Sequence, residues 1–170
     1  MQTILRLPQP VIAEVCGIAA AAGCQLVASC DLAVASEQSS FMTPGVNIGL
    51  FCSTPMVAVS RNISRKKIME MLLTGEKLNA QEAVQFGLIN KCVPLERLQV
   101  DTLNLAKLIA SKPTSTVKIG KEAFYKQVEM SLDDAYNYTS EVMAINMMEI
   151  DAHEGISAFL DKRTPSWNEK

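Results

Sequence analysis

The order of apolar and polar positions divides the chain into a first half of alternating strands and helices and a second half of helices. Residues 11–15 form an almost continuous apolar run, which is typical of a strand covered on both faces. Residues 19–29 predict a helix, 32–35 a second strand, and 88–93 a third strand that Pro94 closes. Strands that alternate with helices favour a parallel sheet, so the predicted fold class is α/β.

Capping residues locate two helices in the middle of the chain. Ser64 is placed to cap a helix over residues 65–73, and Gly75 is placed to end it. Asn79 and Glu82 match a capping box. In this motif the Asn side chain accepts a hydrogen bond from the first turn, and the Glu side chain accepts one from the Asn backbone.

The remaining helical patterns lie mostly in the second half. Helices are predicted over residues 53–59, 98–111, 116–127 and 151–162. Ser131 caps a further helix, whose apolar residues recur from Leu132 to Met143. Such a stripe is typical of a helix that faces a core, and equally of a helix that packs against another subunit.

The composition is that of a folded protein without a surface for nucleic acid. Hydrophobic residues make up 48% and charged residues 20% of the 170 residues, and the formal net charge is −2. No large basic field is therefore expected for nucleic acid or anionic lipid. The longest apolar run is far shorter than the roughly 20 residues that a membrane span needs. We also expect no targeting segment in this chain.

The cysteine pattern argues against cross-links and against zinc. Five cysteines are present, an odd number, and no Cys-x-x-Cys pair occurs. Neither a disulfide framework nor a zinc site fits, so no metal is predicted. We expect buried free thiols, with Cys24 and Cys30 in the core. Cys52 is also expected to be a packed thiol, because its sequence neighbours include no activating base.

The region around Gly17 is the strongest candidate for a binding site. The strand over residues 11–15 leads through Gly17 into a helix start made of small residues. Small residues at such a turn allow a ligand to approach the backbone N–H groups closely. We therefore expect the amides between Gly17 and Gln25 to face a ligand.

Several segments in a fixed order resemble the crotonase superfamily of enoyl-CoA hydratases and isomerases. Each is weak alone, but together they are specific, and they lie at residues 10–13, 17–25, 30–31, 41–49, 72–76, 80–83, 87–89 and 154–163. The resemblance implies a truncated crotonase (ClpP/crotonase-like) fold without its N-terminal part. Residues 1–94 would be the ββα-spiral portion, and 95–170 a C-terminal helical trimerisation region. It also implies a sheet edge with exposed apolar surface, and hence a chain that aggregates or associates.

The resemblance implies a specific chemistry for the region after Gly17. In this superfamily two backbone N–H groups bind the thioester oxygen of an acyl-CoA and stabilise the enolate that forms. One of them falls on Ala22, where relatives usually have Gly, and the other belongs to the N-terminal part. The two catalytic Glu residues of hydratases fall on Gln25 and Gly45, neither of which can act as a general base. The glycine turn that places water in hydratases is replaced by residues 52–55.

The resemblance also implies contacts to coenzyme A near the C-terminus. The matching Phe and Lys of relatives, Phe159 and Lys162 here, contact the adenine and phosphate end of CoA. A basic last turn would also favour the helix dipole. Coenzyme A would enter as part of the substrate, so no separate cofactor is expected. The resemblance further implies fatty-acid metabolism, a mitochondrial location, and a homo-oligomer that is a trimer or a dimer of trimers.

Three functions remain open at this point. The first is a pseudoenzyme that binds acyl-CoA thioesters in lipid metabolism, and the second is a non-catalytic assembly subunit. The third is an isomerase, hydratase or thioesterase that uses other residues, such as Glu14 or a water held by Gln25. His153, the only histidine, is expected to be solvated on a polar turn.

Overall fold

The computed structural model describes residues 1–168, which form two compact units. The first unit consists of Met1–Leu5 and Val11–Ala106, and the second of Arg6–Pro10 and the chain from Lys107 onward. The sequence predicts a different kind of border, between residues 94 and 95, which separates the spiral portion of the superfamily fold from its C-terminal helical region. That border stays a prediction. None of the helices described is long and apolar enough to cross a membrane.

The first unit contains two small sheets. Its strands are β1 (Ile12–Val15), β2 (Ile18–Ala20), β3 (Leu32–Ser36), β4 (Ser40–Met42), β5 (Leu78–Asn79) and β6 (Lys91–Val93). One sheet is parallel with the order β1-β3-β6, and the other has the order β2-β4-β5 with β4 and β5 antiparallel. Within the described residues β1 and β2 pair on one side only, and Ile18 is 72% exposed. The predicted α/β class is confirmed.

The helices agree with the sequence pattern except at two places. They are α1 (Gln2–Arg6), α2 (Ala22–Ser29), α3 (Ser53–Val59), α4 (Arg65–Thr74), α5 (Ala80–Gln85), α6 (Leu98–Ala110), α7 (Thr114–Gln127), α8 (Leu132–Met147) and α9 (Ile150–Leu160). No sequence signal predicts α1. The helix predicted over residues 19–29 is wrong in its first turn, because Ile18–Ala20 pairs with β4 and α2 begins only at Ala22.

The third predicted strand is also shorter than expected. Of residues 88–93, only Lys91–Val93 pairs as a strand. The N–H groups of Leu88 and Ile89 donate to the Ala83 carbonyl at 2.8 and 3.3 Å. Because these hydrogen bonds place Leu88 and Ile89 in the turn after α5, β6 begins only at Lys91.

The capping predictions are confirmed. Ser64 accepts a hydrogen bond from the Lys67 N–H at 3.4 Å, and Gly75 ends α4 in the left-handed conformation with φ 69°. At α5, Asn79 Oδ1 accepts from the Glu82 N–H and Glu82 Oε2 accepts from the Asn79 N–H, both at 2.9 Å. These predictions succeed because each cap depends on residues within a few positions of one another.

The core of the first unit has a larger apolar cluster, to which both sheets and α2 to α5 contribute and which includes Cys24 and Cys52. A smaller cluster contains Val34, Val93 and Leu98. The expectation of buried thiols is wrong for Cys16, which is exposed, and only partly right for Cys30 and Cys92, which are half-buried. Side chains alternate along an extended chain, so Cys16 turns outward where its neighbour in β1 turns inward. Cys30 lies at the C-terminal end of α2, where its thiol reaches the Leu26 carbonyl at 3.3 Å.

In the second unit the segment after α9 is tied to the helices by a buried carboxylate. Asp151, in the first turn of α9, accepts hydrogen bonds from Ser115 Oγ at 3.2 Å and from the Asn168 N–H at 2.8 Å. Trp167 donates its indole N–H to the Ser111 carbonyl at 2.9 Å. Trp167 is therefore held in two ways: its ring bonds to Ser111, and the backbone of the next residue, Asn168, bonds to Asp151.

An ion pair holds the start of the same segment. Arg163 donates to both carboxylate oxygens of Glu154, at 2.6 and 2.9 Å, and the Ser166 N–H donates to one of them at 2.8 Å. The hydrogen bonds from Arg163 and Ser166 lower the pKa of Glu154 to about 2. Glu154 therefore stays ionised over the whole neutral range.

Candidate functional site

The candidate site begins where β2 leads into α2. Gly17, with φ 91°, turns the chain from β1 into β2, and its N–H donates to Ser39 Oγ at 3.2 Å. β2 then runs parallel to β4, so that Ala20 lies beside Met42. The Ala21 N–H donates to the Met42 carbonyl at 2.9 Å. The end of β2 is thus fixed to its neighbouring strand.

Ala21 and Ala22 form a sharp corner that leaves backbone donors open. Ala21 is the N-cap of α2 and has φ 47° and ψ −109°. An alanine has no side-chain oxygen, so it cannot cap the helix. Among the residues described, no partner bonds the N–H groups of Ala22 and Gly23, and Ala22 is exposed. The corner therefore presents amide donors and the positive end of a helix dipole to solvent.

Gln25 lies three residues after Ala22 in the first turn of α2, on the same face of the helix. It is half-buried, its N–H donates to the Ala21 carbonyl at 3.0 Å, and its carbonyl accepts from Ser29 Oγ at 2.7 Å. Its side-chain amide has no hydrogen bond to any other described residue. The amide can orient a ligand or a water, but it does not take up a proton at neutral pH.

Gly45 lies in a 3-10 turn, Pro44–Ile48, that follows β4. Its N–H donates to Cys52 Sγ at 3.3 Å, and its carbonyl accepts from the Leu50 N–H at 2.9 Å. A Cβ added at Gly45 would lie 2.7 Å from the Leu50 carbonyl oxygen and 2.9 Å from Cys52 Sγ. The space beside the Gly45 Cα is therefore occupied by a carbonyl and a thiol, one of which would have to shift to admit a side chain.

Two buried side chains, Cys24 and Thr43, lie in the same unit. Burial raises the pKa of the Cys24 thiol to about 12, although a hydrogen bond from the Met42 backbone acts in the opposite direction. Cys24 is thus a neutral packed thiol and not a nucleophile. Thr43, between β4 and the 3-10 turn, is fully buried, and its hydroxyl has no partner among residues 1–168. No sequence signal distinguishes this threonine.

The structure brings the first three predicted site residues into one unit. Ala22 and Gln25 share the first turn of α2, and Gly45 follows β4 by three residues, at the end of the strand that bonds Ala21. Phe159 and Lys162 belong to the second unit. Phe159 is 82% exposed in the last turn of α9. Lys162 is exposed just after α9, and its ammonium forms no ion pair with a described residue.

The other candidate side chains lie apart from this arrangement. Glu14 is exposed on β1, where it is paired in register with Val34. His153 is exposed as expected, but it lies within α9 and not on a turn. Across residues 1–168, no three His, Cys, Asp or Glu side chains are grouped so that they could hold a metal ion.

Comparison with known proteins identifies the class to which this fold and corner belong. The family model described as enoyl-CoA hydratase/isomerase matches residues 1–170. The chain therefore belongs to the enoyl-CoA hydratase/isomerase family, and the predicted crotonase fold is confirmed.

Particular relatives are more similar than the family as a whole. The chain is 55% identical over 168 residues to human enoyl-CoA hydratase domain-containing protein 3, mitochondrial, and 54% identical to the mouse protein of that name. The crystal structure of the human protein superposes with a TM-score of 0.95, and that of an enoyl-CoA hydratase from Mycobacterium smegmatis, 51% identical, with 0.96. Both superpositions cover 98% of this chain and about two thirds of the other, at 66% and 65%. The chain spans 55% and 56% of the length of the human and mouse proteins.

Proposed function

We propose that this protein binds acyl thioesters of coenzyme A and does not add water to them. The observation that carries the proposal is the corner at Ala21 and Ala22. It offers open backbone donors, and no carboxylate stands at the Gln25 and Gly45 positions. Family membership supports the choice of ligand, because enoyl-CoA hydratases act on thioesters of this kind.

The open N–H of Ala22 suits the oxygen of a thioester carbonyl. A backbone amide at the start of a helix carries part of the helix dipole, so it favours an oxygen on which negative charge accumulates. Ala22 keeps this donor in spite of its methyl group, since only the side chain differs from glycine. The neighbouring N–H of Gly23 is also open.

Hydration needs a base that removes a proton from water and an acid that returns one to carbon. Gln25 supplies neither. Gly45 has no side chain, and the Leu50 carbonyl and the Cys52 thiol lie so close to its Cα that an added Cβ would force one of them to shift. The residues present therefore favour binding of the thioester, or enolate stabilisation, over hydration.

The rest of the proposal concerns coenzyme A and the cellular context. Phe159 offers an exposed ring that can stack on adenine, and Lys162 offers for phosphate an ammonium that forms no ion pair with residues 1–168. Coenzyme A is held as part of the ligand. The similar human, mouse and rat proteins are named as mitochondrial, which supports a mitochondrial location. A role in fatty-acid metabolism there is part of the proposal.

Titration calorimetry with three ligands tests the proposal: dodecanoyl-CoA, the thioether S-dodecyl-CoA, and free CoA. The thioether keeps the chain and the nucleotide but lacks the carbonyl oxygen. We expect dodecanoyl-CoA to bind with a Kd below about 100 µM, and the thioether more weakly. Absence of thioester binding at that concentration would contradict the proposal, as would hydration of 2-dodecenoyl-CoA above the blank rate.

A pair of variants isolates the Ala22 donor. Ala22→Pro removes the N–H at the first helical position. Because the proline ring also disfavours the φ and ψ of Ala21, circular dichroism first checks that this variant folds. Ala22→Gly keeps the N–H and serves as the matched control. We expect Ala22→Pro to bind thioester and thioether equally, whereas Ala22→Gly keeps the preference for the thioester. If Ala22→Pro does not fold, loss of the preference in Ala22→Gly would count against the donor role.

A second candidate function is assembly, and a specific observation in the second unit favours it. α8 contains no buried residue, although Leu132, Tyr136 and Met143 lie along it with 72%, 68% and 61% of their surface exposed. Large exposed apolar patches mark interaction sites in soluble proteins. We propose that this face pairs with further copies of the chain, as a trimer or a dimer of trimers. Light scattering that finds a monomer at micromolar concentration would contradict this assembly.

A further inference from the structure

Ala21 adopts a backbone conformation that side chains disfavour. Its φ of 47° combined with a ψ of −109° corresponds to the first central position of a type II′ turn, which is normally glycine. Elsewhere in the first unit, the described residues with positive φ are the glycines Gly17, Gly49, Gly75 and Gly87. An alanine at this one position is therefore costly where the chain uses glycine for similar turns.

Three contacts hold Ala21 in place. Its N–H donates to the Met42 carbonyl at 2.9 Å, and its carbonyl accepts from the Gln25 N–H at 3.0 Å. Its methyl group packs, partly buried, against the core cluster of the first unit. The two hydrogen bonds restrict the adjoining peptide groups without fixing them fully, and the methyl contact is the restraint that a change to glycine removes.

The direction of the Ala22 N–H depends on ψ of Ala21, since that torsion rotates the peptide group that links the two residues. A Cβ at Ala21 leaves only a narrow range of ψ in this region, whereas glycine allows a wide one. We propose that Ala21 is a positioning residue, whose methyl group fixes the Ala22 N–H toward the thioester oxygen before the ligand arrives. This inference rests on the proposed function of the corner. It explains why the chain retains a strained alanine at a position where glycine would be easier to accommodate.

Replacement of Ala21 by glycine separates stability from binding. Ala21→Gly relieves the disfavoured conformation, which raises stability. It also loses a methyl contact and increases the entropy of the unfolded chain, which lower stability. We therefore expect a Tm between unchanged and about 4 °C higher. Its affinity for dodecanoyl-CoA should fall about five-fold, because the freed peptide group must be ordered on binding. Its affinity for S-dodecyl-CoA, which has no carbonyl oxygen, should stay within about two-fold of the wild-type value, which is roughly the precision of such measurements.

Ala20→Gly is the matched control, since it makes the same chemical change one residue earlier. Ala20 is held in the β2–β4 ladder opposite Met42, so we expect a lower Tm and unchanged affinity for both ligands. If wild-type protein binds dodecanoyl-CoA and Ala21→Gly binds it equally well or better, Ala21 is not a positioning residue, although the proposed function stands. Equal losses for thioester and thioether in Ala21→Gly would also overturn the inference. If the wild-type protein binds neither ligand, the proposed function itself fails.

Discussion

A methyl group at Gly45 should destabilise the protein, although the same change elsewhere should stabilise it. In Gly45→Ala the new Cβ would lie 2.7 Å from the Leu50 carbonyl oxygen, where ordinary van der Waals contact begins at 3.4 Å. The carbonyl belongs to the backbone of a loop that the hydrogen bond between the Leu50 N–H and the Gly45 carbonyl closes, so it cannot swing away freely. Cys52 Sγ at 2.9 Å can rotate, but it then gives up the hydrogen bond from the Gly45 N–H.

The expected cost is that of overpacking a filled site, about 2 kcal/mol in a range of roughly 1 to 3. For a chain of this length such a cost lowers Tm by about 4 to 8 °C. Gly120→Ala is the control, because Gly120 lies inside α7 and an added Cβ meets no atom within 4 Å. It should stabilise the protein by about 0.5 to 1 kcal/mol.

Urea denaturation followed by circular dichroism measures both changes on one scale. A Gly45→Ala variant as stable as Gly120→Ala would refute the reasoning. A double variant sharpens the test. Cys52→Ala, added to Gly45→Ala, removes the sulfur contact but also empties part of the core, so it is measured alone as well. Relative to Cys52→Ala, the double variant should still lose stability through the carbonyl contact, though less than Gly45→Ala loses relative to wild type. A double variant as stable as Cys52→Ala would mean that the thiol alone closes this position.

Three further predictions concern other groups. The folded-state pKa of Glu154 is about 2, so its stabilising contribution is fully present above the unfolded-state pKa and is lost as pH falls toward 2. Unfolding midpoints measured from pH 6 downward should show this loss, and Glu154→Gln should remove it; an identical pH profile for the variant would contradict the assignment. Gln25→Glu should not hydrate 2-dodecenoyl-CoA above the blank rate, because the Gly45 position still lacks an acid, and turnover would refute this. Lys162→Ala should weaken free CoA binding by about five-fold in low salt and less in high salt, and equal affinities would remove Lys162 from the site.

The parts of the fold that the sequence predicts are those set by neighbouring residues. The Ser64 cap, the Gly75 stop and the Asn79 capping box each depend on side chains within one or two turns, and all are confirmed. Strand β2 could not be predicted in this way. Its Ile-Ala-Ala sequence suits a helix, and it is a strand only because β4, more than twenty residues later, pairs with it.

The candidate site shows the same division. The small residues after Gly17 predict that the amides between Gly17 and Gln25 face a ligand. This is wrong for the N–H groups of Gly17, Ala21 and Gln25, which bond within the protein. Among the described residues, no partner bonds the N–H groups of Ala22 and Gly23, as the prediction requires.

The strained Ala21 and the closure of Gly45 by Leu50 and Cys52 depend on contacts across the fold, and no local pattern encodes them. In the sequence, Gly45 stands out because the family resemblance predicts a Glu there. In the structure, glycine fits because the Leu50 carbonyl and Cys52 leave little room for a side chain.

The fixed indole in the second unit has a practical consequence. Trp167 is the only tryptophan of the chain, and it is held by the Ser111 carbonyl in that unit. Its fluorescence therefore reports melting of the helical unit alone, whereas far-ultraviolet dichroism averages over both units. Superimposable curves from the two probes would mean that the units unfold as one cooperative block, and separated curves would mean that each melts by itself.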